Sequence, residues 1–208
     1  MKHPFCSVLC FLLLFCTGTL RAQIVYSDYS DPDVCCGTED DYWLTASSFQ
    51  CVPGLPLLHS TDLQYWTLEN YALPALQPQE HYRQPQHGRG VWAPSIRRHD
   101  HTYYIYWGDP DYGIYMVHAD DPRGQWSEPL LVIPGRGLID PCPLWDEDGR
   151  MYLVNGWAGS RSGFNSVLTV RPLTPDGTRP LGMPVMVYDG QTDFAGSKTG
   201  QGNHTVEE

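Results

Sequence analysis

Short runs of aromatic and β-branched residues recur along most of the chain, each closed by Gly, Pro, Asp or Ser. "DYWLTASS", "TYYIYWGD", "YGIYMVHA", "RMYLVNGW" and "SVLTVRPL" have the length and composition of strands. Helical periodicity is almost absent, and the pattern predicts an all-β protein. Asp148-Gly149, between "PLWDE" and "RMYLVN", predicts a tight hairpin turn. The "DEDG" there resembles the start of a calcium loop, but the remaining ligand positions of such a loop are missing.

The runs are organised as a repeat. "DPDVCCGTEDDYWLTASS", "APSIRRHDHTYYIYWGD" and "DPCPLWDEDGRMYLVNGW" share one skeleton: a small or acidic residue, Pro, a short strand, a polar turn and an aromatic strand. The first two are followed by "LLHSTDLQYWTL" and "YMVHADDPRGQWSEP", where an Asp precedes a Trp as in a turn leading to an outer strand. "VLTVRPLTPDGTRPLGMP" is a degenerate third copy. About four strands in about 45–60 residues is the period of a β-propeller blade. A closed propeller takes about four to eight blades, so three predict an incomplete one, the front part of a longer protein. A small sandwich complete in itself is the competing architecture.

The start of the chain changes the picture only by subtraction. Lys2 and His3 precede an apolar run from Phe5 to Cys16, too short to span a bilayer and suited to a cleaved leader ending near Ala22. The expected division is therefore a signal peptide over 1–22 and blades over 23–208, with the last residues opening a fourth blade. Secretion or a periplasmic location follows. A lipid anchor at Cys16 is disfavoured by the bulky Phe15 before it. The chain carries 24 acidic and 13 basic residues, a net charge of −11, which argues against nucleic acid and anionic membranes as partners. Cys35, Cys36, Cys51 and Cys142 lack zinc-site spacing; a Cys51 bridge to Cys35 or Cys36 and buried thiols are both open readings.

Candidate chemistry follows from the repeat. Inner strands of a propeller line its channel, so the residues before the repeated prolines, Asp31, Ala93 and Asp140, should meet at one mouth. Two carboxylates from different blades suit glycoside hydrolysis, which needs one group to activate water and another to protonate the leaving oxygen. Trp92 and Phe49 could line a sugar pocket, and His87 could bond a sugar hydroxyl. Asp28 and Asp33 are weaker candidates, since turn capping accounts for either.

"YSDPDV", "LTASSF", "VPGLPLLHSTDLQYW", "HGRGVWAPSIRRHDHTYYIYWGDPDYGIYMVHADDPRGQWSEP" and "GLIDPCPLWDEDGRMYLVNGWAG", in this order, closely resemble glycoside hydrolase family 43 from about Val25 to Tyr188. The resemblance implies a five-bladed β-propeller with β-xylosidase or α-L-arabinofuranosidase activity by an inverting mechanism. It places Asp31 as general base and Asp140 as the acid that orients the proton donor and raises its pKa. The donor is carried over to Glu207 of "NHTVEE", where Glu208 stands in place of the family's glycine. No cofactor is implied; a structural calcium ion would belong to later blades. The substrate implied is a xylo- or arabino-oligosaccharide or polysaccharide of plant cell walls. A non-catalytic carbohydrate-binding propeller, or an inactive fragment, is the alternative.

Overall fold

The computed structural model describes residues 27–38 and 40–190. The expected leader over 1–22 and Glu207 lie outside the described residues. Three four-stranded antiparallel sheets follow one another, each a meander in chain order. Blade A holds β1 (Asp33–Cys36), β2 (Tyr42–Thr45), β3 (Gly54–Ser60) and β4 (Thr67–Leu73). Blade B holds β5 (Trp92–His99), β6 (Thr102–Asp109), β7 (Gly113–Ala119) and β8 (Leu130–Pro134). Blade C holds β9 (Leu138–Trp145), β10 (Met151–Trp157), β11 (Val167–Leu173) and β12 (Val185–Asp189). Two single-turn helices, α1 (Gln79–Tyr82) and α2 (Gly159–Ser162), sit in connections. No helix among the described residues is long and apolar enough to cross a membrane.

The aromatic runs become strands because their period-two alternation serves two apolar layers at once. On β6, Tyr103, Ile105 and Trp107 enter the layer shared with blade A, beside Trp43, Leu55 and Leu57. Tyr106 points the other way, into the layer shared with blade C, beside Met151, Leu153 and Leu173. β7 repeats this, with Tyr115 and Val117 on one side and Ile114 and Met116 on the other. Burying each such side chain contributes about 1.5–3 kcal/mol. The far face of blade C carries Leu144, Tyr152, Val154 and Val170, cross-strand neighbours by register; Leu144 is 58% exposed.

The expected turn at Asp148-Gly149 forms, closed by Asp146 N–H to Arg150 O at 2.8 Å and Gly149 N–H to Asp146 O at 3.0 Å. Gly149 takes φ +79°, which a side chain would resist. Among the described residues no disulfide forms: Cys35 is buried, Cys142 intermediate, and Cys36 and Cys51 exposed. Neither open reading of the cysteines holds whole, because the Cys51 bridge is not made and, among the described residues, only Cys35 is a buried thiol.

Candidate active site

The three inner strands begin with the same irregularity. In blade A, Asp33 faces Thr45 and Ser47 N–H bonds Ser30 O, so Asp31 and Pro32 together oppose only Ala46. In blade B, Ala93 and Pro94 oppose Trp107; in blade C, Asp140 and Pro141 oppose Asn155. Each is a β-bulge, where a proline costs the ladder nothing because the extra residue is unpaired. The residue before each proline is left-handed: φ is 50° at Asp31, 33° at Ala93 and 51° at Asp140. Residues before proline ordinarily prefer extended backbone, and a non-glycine residue in this region costs about 1–2 kcal/mol. The same strained turn at the same place in three blades re-aims one side chain per blade.

Those side chains share a cavity of about 490 Å³, lined by Asp31, Asp33, Phe49, Trp92, Ala93 and Asp140 among others. Asp31 and Asp140 come from the first and third blades, and Ala93 occupies the equivalent place between them. Asp140 is buried, and Gly156 of β10 lies beside it, where a Cβ would stand 3.6 Å from Oδ2. Phe49 is held at the rim by its paired hydrogen bonds with Val91, at 3.0 and 2.9 Å. The Trp92 indole N–H donates to Gly88 O at 3.0 Å. His87 is exposed and stands outside the lining of this cavity.

Two connections in the cavity carry no signal in the repeat. The Ser47 hydroxyl donates to Asp31 Oδ2 at 2.6 Å and accepts the Ala93 N–H at 2.8 Å, tying the blade A carboxylate to the blade B strand. Asp33 is not a turn cap, contrary to the sequence reading. Its Oδ2 accepts the Ile96 N–H at 2.7 Å and Arg97 Nη1–H at 2.5 Å, both from the next blade. Turn capping is a local bond, whereas the position of β5 beside β1 offers this carboxylate a stronger cationic partner. Arg97 also donates through Nη2 to Cys142 Sγ at 3.4 Å, so one guanidinium reaches all three inner strands. Burial works against its charge more than any other single cause, but Asp33 and Cys142 together outweigh it and raise its pKa. The readable hint was an arginine on an inner strand where blade A has Cys35. Ser47 had no hint beyond its place in "LTASSF".

Fold and cavity together define a propeller with a paired-carboxylate funnel, an arrangement suited to hydrolysing glycosidic bonds. The model of Glycosyl hydrolases family 43 matches residues 21–208, and the chain belongs to that family. A β-xylosidase of Formosa agariphila is 28% identical over 183 residues, covering 83% of this chain and 31% of the relative. A non-reducing end α-L-arabinofuranosidase of Bacteroides ovatus is 35% identical over 141 residues, covering 66% of this chain and 26% of the relative. Among solved structures, a family member from a capybara gut metagenome superposes with a TM-score of 0.67 at 28% identity, covering 82% of this chain and 33% of that one. The chain thus spans about a third or less of the length of these three proteins. The three blades of the described residues are an incomplete propeller of the five-bladed kind that this family builds.

Proposed function

We propose that this chain serves as an inverting exo-glycosidase, one that releases terminal β-xylosyl or α-L-arabinofuranosyl residues from plant-cell-wall polysaccharide outside the cytoplasm. The observation that carries the reading is that Asp31 and Asp140, two blades apart in sequence, line one cavity. In this reading the Asp31 carboxylate takes a proton from water as the water oxygen attacks the anomeric carbon. The bond to the leaving oxygen breaks as a carboxylic acid delivers its proton there, and the product has inverted configuration. Glu207 is the donor assigned by resemblance. Asp140 orients that donor, and its negative charge raises the donor's affinity for its proton. Base and donor in such a site stand about 6.5–9.5 Å apart, enough to admit the water.

Trp92 and Phe49 give the funnel an aromatic wall against which the apolar face of a sugar ring packs. The names of the relatives, β-xylosidases and an arabinofuranosidase, support these two sugars as the substrate class. Export through the N-terminal leader fits a polymeric substrate that cannot enter the cell. The test is release of nitrophenol from the β-xyloside and the α-L-arabinofuranoside by the wild-type protein and by Asp31→Asn. Asparagine keeps the shape and tolerates left-handed backbone, so the substitution isolates the charge. Loss of about 10²–10⁴-fold in kcat is expected. Full activity in the variant, or a product of retained configuration, would overturn the assignment; sugar binding without turnover in the wild type would favour a carbohydrate-binding propeller.

A further inference from the structure

Beside the cavity, three arginines from three different connections converge on one carboxylate. Asp111, in the turn between β6 and β7, has a side chain only 10% exposed. Arg89 Nε lies 3.6 Å from its Oδ2, and Arg136 Nη2 and Arg161 Nε lie 3.5 and 3.4 Å from its Oδ1. The segments are fastened to one another by backbone bonds: Gly135 N–H to Tyr112 O at 2.9 Å, Gly137 N–H to Pro110 O and Ala158 N–H to Gly137 O, both at 2.8 Å. The Arg161 guanidinium also stands over the Trp92 ring, 5.5 Å from its centroid. Trp92 is therefore a wall shared by the carboxylate-lined cavity and the arginine cluster.

This geometry does not use up the cations. A close guanidinium–carboxylate bond measures about 2.7–2.9 Å, and none of the three contacts is that short. Asp111 Oδ2 is buried and makes no hydrogen bond among the described residues. The other carboxylate of the turn, Asp109, already accepts from Tyr82 Oη at 2.5 Å and from the Asp111 N–H at 3.0 Å. Three guanidinium groups thus converge on the single Asp111 carboxylate, while its neighbour Asp109 is engaged elsewhere. Each guanidinium has five N–H donors, and the further partner of the cluster is Ser160 Oγ, bonded by Arg161 Nη1 at 2.8 Å. The Arg136 and Arg89 side chains are 68% and 41% exposed, so their remaining donors are open to solvent. In a chain of net charge −11 this concentration of cations opposes the overall composition.

We infer that Arg89, Arg136 and Arg161 form a subsite for a carboxylate-bearing sugar, a uronic acid residue next to the sugar held in the funnel. Planar guanidinium groups match a carboxylate through paired N–H donors, and Trp92 separates the two sugars. The inference rests on the proposed glycosidase reading of the same cavity.

Calorimetric titration of the full chain tests it, using xylotriose with a glucuronic acid branch and the methyl ester of the same compound. The ester keeps the shape and removes the charge. The free acid is expected to bind about tenfold tighter at low ionic strength, equivalent to about 1.4 kcal/mol, and added salt should shrink the difference. The Arg89→Gln/Arg136→Gln variant, checked for unchanged thermal unfolding, should bind the acid as weakly as the ester. Equal binding of acid and ester by the wild type would overturn the subsite and leave the glycosidase reading standing. A preference that survives in the double variant would also overturn it. Binding of neither compound would overturn the subsite, and turnover of the nitrophenyl glycosides then decides the glycosidase reading separately.

Discussion

Ser47 holds Asp31 from just beyond the end of β2 in its own blade, its hydroxyl 2.6 Å from the carboxylate, while the same oxygen accepts the Ala93 N–H of the next blade. One hydroxyl therefore fixes the proposed base and the join between two blades. Ser47→Ala should cost about 1–2 kcal/mol, because it leaves the Ala93 N–H without its acceptor, and should lower kcat by about tenfold through a loosened Asp31. Ser48→Ala is the control: Ser48 Oγ accepts the Leu55 N–H at 3.1 Å and does not touch Asp31. Urea unfolding and nitrophenyl glycoside turnover on both variants separate the effects. Equal kcat losses in the two would show that Asp31 positioning is not involved.

The Asp33–Arg97 pair is expected to be a coupling between blades that stability measurements can read. The side chains are 29% and 33% exposed, so water screens them in part. A double-mutant cycle of Asp33→Asn and Arg97→Leu should give a coupling energy of about 1–3 kcal/mol, below the ~3–5 kcal/mol lost on breaking a fully buried pair. Asparagine can still accept the Ile96 N–H, which restricts the cycle to the charge pair. Additive single effects would remove this pair from the account of how the blades adhere.

Asp109 gives the fold a pH dependence of known sign. Burial raises its pKa, although the Tyr82 hydroxyl and backbone donors lower it in part. A carboxyl that holds its proton more tightly when folded contributes stability fully present below the unfolded pKa, about 3.9. That contribution is lost as pH rises through the raised folded value. Asp109→Asn cannot ionise, so its stability relative to wild type should climb from about pH 4 upward and then level off. Urea midpoints across pH measure this, and parallel curves for the two proteins would refute it.

The thiols should divide by burial. Cys35 is pushed up to about 12, first by burial and then by the neighbouring Asp33 charge, and the thiolate is the reactive form. Cys36 and Cys51 are exposed. Alkylation of the native protein followed by peptide mapping should label Cys36 and Cys51, with Cys35 modified only after denaturation. Labelling of Cys35 at the native-state rate of Cys36 would contradict the packing of β1 against blade B.

The sequence by itself determined the strands, their grouping into blades and the equivalence of Asp31, Ala93 and Asp140. All three are expressed within one repeat, where alternation and turn chemistry leave a periodic trace. "TYYIYWGD" became β6 residue for residue. Tertiary structure alone decided what joins the blades. Ser47 to Asp31, Asp33 to Arg97 and the three arginines around Asp111 pair residues 16 to 64 apart or from separate connections. Such complementarity has no period, because it depends on which inner strands and which loops the closing curve of the sheet stack brings side by side. The left-handed turn before each proline is of the same kind. Local preference favours extended backbone there, and it is the bulge, held by its neighbours, that turns the carboxylates into the funnel.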